Sequence, residues 1–301
     1  MQKTLLTGAL AALAFGLAGT AQAQDTLKKM KDTGSVTMGV RESSGALAFT
    51  LGDGKYTGFH YDVCQRVLAD IQKQIGVAKL DIKYQPVTSQ NRVPLVQNGT
   101  VDIECGSTTN NAARQKDVAF APALYIEEVR IAVKGNSGIN GIAGLNGKTV
   151  ATTTGTTSVQ LLRKNKRAQG MDFKELNGKD HSDSFLLLES GRADAFVMDG
   201  QILAGLISKA KSPKDFKVVG EPLSVEPIAI MYRKDDPAFK KAVDDSVRSL
   251  AKSGEVAKLY DKWFMQPIPP ANTRVNLPAS EGTKAAWANP TDKPLEEYAQ
   301  P

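Results

Sequence analysis

Apolar residues recur along this chain in two rhythms. Between residues 62 and 75 they fall at Val63, Val67, Leu68, Ile71 and Ile75, the spacing that lines one face of a helix. Residues 80–84 instead alternate apolar and polar positions, the period of a half-buried strand. The alternation continues to the C-terminal region. Strands are predicted at residues 36–40, 101–104, 127–133, 148–153, 193–198, 216–220 and 228–232. Helices are predicted at residues 91–98, through Leu161 and Leu162, and at 184–190, 201–210, 236–253 and 255–264. Gly99 and Gly191 supply helix stops. Residues 135–147, with five glycines, read as a connection, and no internal repeat is visible. Beyond Trp263 the chain turns Pro-rich and polar, so residues 266–301 are expected as an extended tail packed on the surface.

Strands alternating with helices imply an α/β protein whose sheets are mostly parallel, with helices on both faces. Such sheets bind ligands beyond the C-terminal ends of their strands, beside helix N-termini. Three segments follow strands and carry polar groups: residues 106–110 (GSTTN), 154–158 (TGTTS) and 198–200 (MDG). A core of ordinary size is available, since 41% of the 301 residues are hydrophobic and 23% charged. The start of the chain is set apart from the fold. Lys3, an uncharged apolar run over residues 4–18, and the small residues Ala21 and Ala23 form a secretory signal, expected to be cut after Ala23. The run is shorter than the ~20 residues that span a bilayer, and no later run is longer. The mature chain is therefore expected outside the cytoplasm. There an even pair of cysteines, Cys64 and Cys105, is a candidate disulfide, with two buried thiols as the alternative.

Charge adds a mild constraint. The net +6, about +5 without Lys3, suits an anionic ligand as well as an ordinary solvated surface. No basic block with interleaved aromatics points to nucleic acid. No GxSxG, HExxH, GxxxxGK[ST] or Cys/His cluster points to hydrolysis, nucleotide chemistry or a metal, and no cofactor is implied. Residues 154–158 could be a helix cap, but five small polar residues around a glycine exceed what one cap requires. Arg114 stands five residues after Thr109, where it can reach back and grip a carboxylate. Arg41 follows the first strand, and Arg92 opens a helix against its dipole; each has a surface role as the plainer alternative. Asp199 ends a buried strand, either capping the next helix or holding a ligand ammonium. His181, between Asp180 and Asp183, taken alone is a surface or capping residue.

Five stretches then carry a resemblance: GVRESSG at 39–45, VTSQNRVPLVQNGTVDIECGSTTNNAARQ at 87–115, TTGTTS at 153–158, KDHSDSFLLLESGRADAFVMD at 179–199 and KWFMQPIPP at 262–270. Together they resemble the glutamate/aspartate-binding proteins of bacterial ABC importers. The resemblance implies the type II periplasmic binding fold. Two α/β lobes, residues 24–130 with 233–301 and residues 131–232, would be joined by crossovers near residues 128–134 and 227–233. It implies a monomeric, non-enzymatic periplasmic protein that delivers L-glutamate or L-aspartate to a permease in the inner membrane. By position it puts Arg114, Ser107 and Thr109 on the α-carboxylate, with Thr156 and Thr157 adding donors from the second lobe. Asp199 would hold the α-ammonium, and Arg41, Arg92 and His181 the side-chain carboxylate, with Ser89 nearby. A histidine cation would complete that cationic end. A dehydratase-like enzyme on the same fold and a sensor module that hands its ligand to a receptor are the alternatives.

Overall fold

The computed structural model describes residues 25–301, so the signal sequence expected at residues 1–23 lies outside the described residues. The chain forms two five-stranded sheets, each the floor of one lobe. In the first sheet the strands lie in the order Asp81–Pro86, Ser35–Val40, Ile103–Glu104, Met231–Arg233, Val118–Phe120. The first three are mutually parallel, and Met231–Arg233 runs against both of its neighbours. The second sheet repeats the plan in the order Lys174–Gly178, Thr149–Thr153, Ala195–Asp199, Tyr125–Lys134, Phe216–Ile228. Here Tyr125–Lys134 is the reversed strand. The sheets are thus mixed, with a single reversed strand apiece. In both, that strand belongs to a segment entering from the other lobe.

Each reversal follows from how the chain crosses. Tyr125–Lys134 leaves the first lobe and enters the second. Phe216–Ile228 returns, hydrogen-bonded to it antiparallel from Lys134↔Phe216 to Tyr125↔Ile228. Both strands are long because one stretch of each belongs to the second sheet and the rest bridges the lobes. The chain has rejoined the first sheet at Met231, earlier than the boundary at residue 233 drawn from the sequence.

The helical periodicity holds where it was strongest. Helix Phe59–Ile75 buries Val63, Val67, Leu68 and Ile71 against the first sheet, and Gly76 in a left-handed conformation ends it. Pro237–Lys252 begins with Asp236 accepting from the Phe239 N–H and Pro237 in its first turn, and buries Phe239, Val243 and Val247. Burying such side chains contributes roughly 1.5–3 kcal/mol each. A second core lies between the other sheet and its helices, around Val129, Ile131, Leu162 and Val197. Cys64 and Cys105, both buried, form a disulfide that ties helix Phe59–Ile75 to the end of strand Ile103–Glu104.

Two regions depart from the sequence pattern. A small antiparallel sheet, Ser43–Ser44, Ala48–Gly52 and Lys55–Thr57, rises from the first lobe where no strand is predicted. Its strands are too short and glycine-broken to show a period. The tail is not simply extended. Ser280 caps a helix, Glu281–Ala288, whose Thr283 and Ala286 are buried, and whose Trp287 packs edge-on against Tyr260. No helix among the described residues is long and apolar enough to cross a membrane.

Candidate functional site

The C-terminal ends of both sheets face each other across the crossover strands, and the two lobes touch there. Arg41, one residue past strand Ser35–Val40, is 0% exposed. Its Nη2 donates to Ser89 Oγ (3.1 Å) in the first lobe and to Asp180 Oδ1 (3.0 Å) in the second, and lies 3.2 Å from His181 Nε2. Its Nε and Nη1 are buried without a partner. Arg92, at the head of the short helix Arg92–Gln97, is 2% exposed, and its Nε and Nη1 are likewise unpartnered.

Arg114 lies in a turn just past residues 106–110 and is half-buried. It reaches back over the loop, but to a backbone group: Nη1 donates to the Thr109 carbonyl (2.8 Å). Its Nη2 donates to the Gly155 carbonyl in the other lobe (3.2 Å). Burial, then the charges of Arg114 and Arg41, pull the Arg92 guanidinium well below its ordinary pKa, with Glu104 and Asp199 opposing. Burial also lowers Arg114, against the pull of Glu226, Glu104 and Asp199. Three guanidinium groups and these carboxylates therefore share one low-dielectric space.

Asp199 ends strand Ala195–Asp199 and is buried, and its side chain makes no capping bond to the helix Gly200–Ile207 that follows. Burial, helped by Glu226, pushes its pKa up to about 7, with Arg92, Arg114 and Arg41 pulling it down. Capping therefore does not explain this carboxylate.

Five of the expected site residues already have partners within the protein. Burial, then the charge of Arg41, holds the His181 imidazole down at about 3, although Asp180 works the other way. His181 is neutral, with Nε2 accepting from Arg41 and Nδ1–H donating to Thr153 Oγ1 (3.1 Å). The charged partner of Arg41 is Asp180. Burial raises the Asp180 carboxyl, but Arg41, His181 and the hydrogen bond from Ser43 outweigh it and lower its pKa. Thr156 turns its hydroxyl to the Thr153 carbonyl (2.8 Å), away from any partner in the cleft. Thr109 and Thr157 donate their hydroxyl hydrogens to Glu226 Oε2, at 2.6 and 2.8 Å. Each hydroxyl has one hydrogen, so both present lone pairs to any further group. Ser107 donates to Ser44 Oγ (3.0 Å).

Glu226 escapes the sequence pattern because it lies beyond the predicted end of its strand. Buried on Phe216–Ile228, it joins Thr109 of one lobe to Thr157 of the other. Gln201 is a second such bridge. Its Oε1 accepts from the Ala46 N–H and its Nε2 donates to the Ser44 carbonyl. The lips close on glycines. Gly155, at φ +82°, lies so close to Ser89 and Gln90 that a Cβ would stand 2.6 Å from Gln90 Cα. Gly205 faces Gly45 less closely, where a Cβ would stand 3.2 Å from Gly45 Cα. Lys209 crosses to lie 4.4 Å from the centre of the Phe49 ring. Behind residues 106–110, His60 Nδ1–H donates to the Gly106 carbonyl (2.6 Å); burial holds His60 near 4, so it is neutral. A histidine on a helix gives no sign of this in the sequence.

Two lobes of one plan, joined by paired crossovers and closed over a charged cleft, define the type II periplasmic binding fold. Residues 36–266 match the bacterial extracellular solute-binding proteins, family 3, and the chain belongs to that family. It is 45% identical over 295 residues to the "L-glutamate/L-aspartate-binding protein" of Pseudomonas aeruginosa, covering 97% of each chain. It is 44% identical to the "Glutamate/aspartate import solute-binding protein" of Escherichia coli K12, covering 95% of this chain and 98% of the other. Among solved structures, a mutant of ArgBP from T. maritima superposes with TM-score 0.70 at 26% identity, covering 80% of this chain and 99% of the other. The ancestral amino acid-binding protein AncCDT-1, described as a precursor of cyclohexadienyl dehydratase, gives 0.68 at 27% identity, covering 79% and 99%.

Proposed function

We propose that this protein captures L-glutamate or L-aspartate between its lobes in the periplasm and hands it, as a monomer, to an ABC importer permease in the inner membrane. One observation carries the choice of ligand: Arg41 and Arg92 are wholly buried with unpartnered guanidinium nitrogens, beside Arg114 and an uncapped Asp199. A dicarboxylic amino acid brings two negative groups and one positive group to that set. In this reading Arg41 and Arg92, with Ser89 and neutral His181 orienting Arg41, take the side-chain carboxylate. Arg114 takes the α-carboxylate together with the free N–H groups at the head of helix Thr157–Ala168. Asp199 takes the ammonium, and the lone pairs of Thr109 and Thr157 face it. Ser107 supports Ser44 at the lip and Thr156 shapes the turn, each from outside the ligand shell. In this reading the lobes are residues 25–130 with 229–301, and residues 131–228. They close by bending at the paired segments 125–128 and 224–228.

Calorimetric titration with glutamate, aspartate, glutamine and asparagine tests this. A micromolar or tighter dissociation constant, about −8 kcal/mol, is expected for one of the two acids. The amides, which leave a buried guanidinium unpaired, should bind at least about a hundredfold more weakly. Equal affinity for glutamine and glutamate would sink the assignment of Arg41 and Arg92. A dehydratase on the same fold is the second reading, favoured by Asp199, whose pKa of about 7 suits a general acid. The solute-binding reading expects glutamate and aspartate to be recovered unchanged from prolonged incubation, as mass spectrometry would record.

A further inference from the structure

Residues 267–301 lie beyond the part of the chain that matches the family, yet they make contacts next to the cleft. Asn110, fully buried beside Thr109, donates its N–H to the Pro227 carbonyl (2.9 Å) and accepts at Oδ1 from Gln115 Nε2 (2.8 Å), and its other bonds are to this tail. Its Nδ2 donates to the carbonyls of Asp292 (2.8 Å) and Lys293 (3.3 Å), and its own carbonyl accepts from the Leu295 N–H (2.8 Å). The Ala112 N–H, two residues before Arg114, donates to Glu296 Oε2 (2.9 Å). The same tail holds both crossover strands. Thr283 Oγ1 accepts from the Ile126 N–H (3.0 Å) and donates to the Ile126 carbonyl (3.3 Å). Gln300 repeats the pattern on the other strand. Its Oε1 accepts from the Val225 N–H (3.1 Å) and its Nε2 donates to the Val225 carbonyl (3.0 Å), one residue from Glu226. Two side chains thus satisfy backbone groups that would otherwise be left on the outer edges of the crossovers.

We propose that the tail is a positioning element of the ligand site. Through Asn110 and Ala112 it sets the loop that carries Thr109 and Arg114. Through Gln300 it sets the crossover strand that carries Glu226. The loop has little regular structure of its own, since only its Thr109 forms a bridge, to Ile228. Without the tail, the loop keeps its backbone bonds to Pro227 and Ala229, but Thr109 and Arg114 lose part of what fixes their position. This inference rests on the reading that those residues hold the ligand.

The test compares the full chain with one ending at Asn289, which retains helix Glu281–Ala288 and Trp287. Glutamate and aspartate affinities are measured by calorimetry and folding by circular dichroism. A cooperative melt with affinity weakened about tenfold or more, restored by a synthetic peptide of residues 290–301 at millimolar concentration, is the expected result. Affinity within twofold of the full chain overturns the proposal, and so does a loss that the peptide fails to restore. If the shortened chain does not fold, Glu296→Ala/Gln300→Ala in the full chain replaces it, and unchanged affinity there is equally fatal. If the full chain binds neither acid, the ligand reading fails on its own. The tail is then judged by hydrogen exchange across residues 106–114, where protection unchanged in the shortened chain or the double variant rules it out and faster exchange supports it.

Discussion

Asp199 carries the proton that should govern the cleft's response to pH. A carboxyl whose pKa is raised on folding favours the folded chain while protonated. That contribution is lost as pH rises from the ordinary carboxylate range to about 7. Holding an ammonium requires the ionised form. Affinity should therefore climb by up to about tenfold per pH unit below 7 and level off above it, as calorimetry between about pH 5 and 8 would record. Asp199→Asn should bind weakly with a flat profile. His181→Gln should leave the wild-type profile unchanged over that window, because the imidazole at about 3 has no charge to lose there. A slope that vanished with His181 would return the cation to that position. Arg114→Ala should cost at least about thirtyfold in affinity, since it strips the cleft of a group shared by both lobes. Arg114's backward reach was legible in the sequence because five residues of loop fix its range. The partners of His181 were not, because they include a guanidinium brought from 140 positions away.

At the scale of elements, the closing lips depend on residues without side chains. Gly155→Ala would set a methyl against the Gln90 backbone and strain a left-handed turn. Affinity should fall by about tenfold or more with little change in melting temperature; unchanged affinity would mean that this lip does not meet in solution. The disulfide works at the same level. Replacing Cys64 and Cys105 by alanine should lower stability to denaturant by about 3–4 kcal/mol, the loop-closure value for its 41-residue separation. Helix Phe59–Ile75 was legible residue by residue, because five apolar positions share a face. The Ser43–Thr57 sheet was not, because its strands owe their form to the lobe beneath and the helix opposite. The tail helix was hidden for a related reason: its apolar residues are few, and Trp287 and Thr283 find their partners only across the fold.

For the molecule as a whole, binding should reduce the radius of gyration seen by solution X-ray scattering, with Arg114→Ala failing to contract at the same ligand concentration. How the lobes can move is written into the ribbon that joins them. The register of Tyr125–Lys134 and Phe216–Ile228 breaks once, between Val219 and Ser224, where Arg130 reaches over to donate to the Gly220 carbonyl. On the near side of that break the ladder runs unbroken from Val129↔Ser224 to Tyr125↔Ile228. A continuous ladder resists sliding of one strand along the other, because every rung would have to break together, yet it flexes readily out of its own plane. The irregular stretch beyond gives the flexing a natural end point. One soft direction and several stiff ones would make the halves meet in the same alignment at each cycle, so that Gly155 returns to Gln90 and Gly205 to Gly45 without searching.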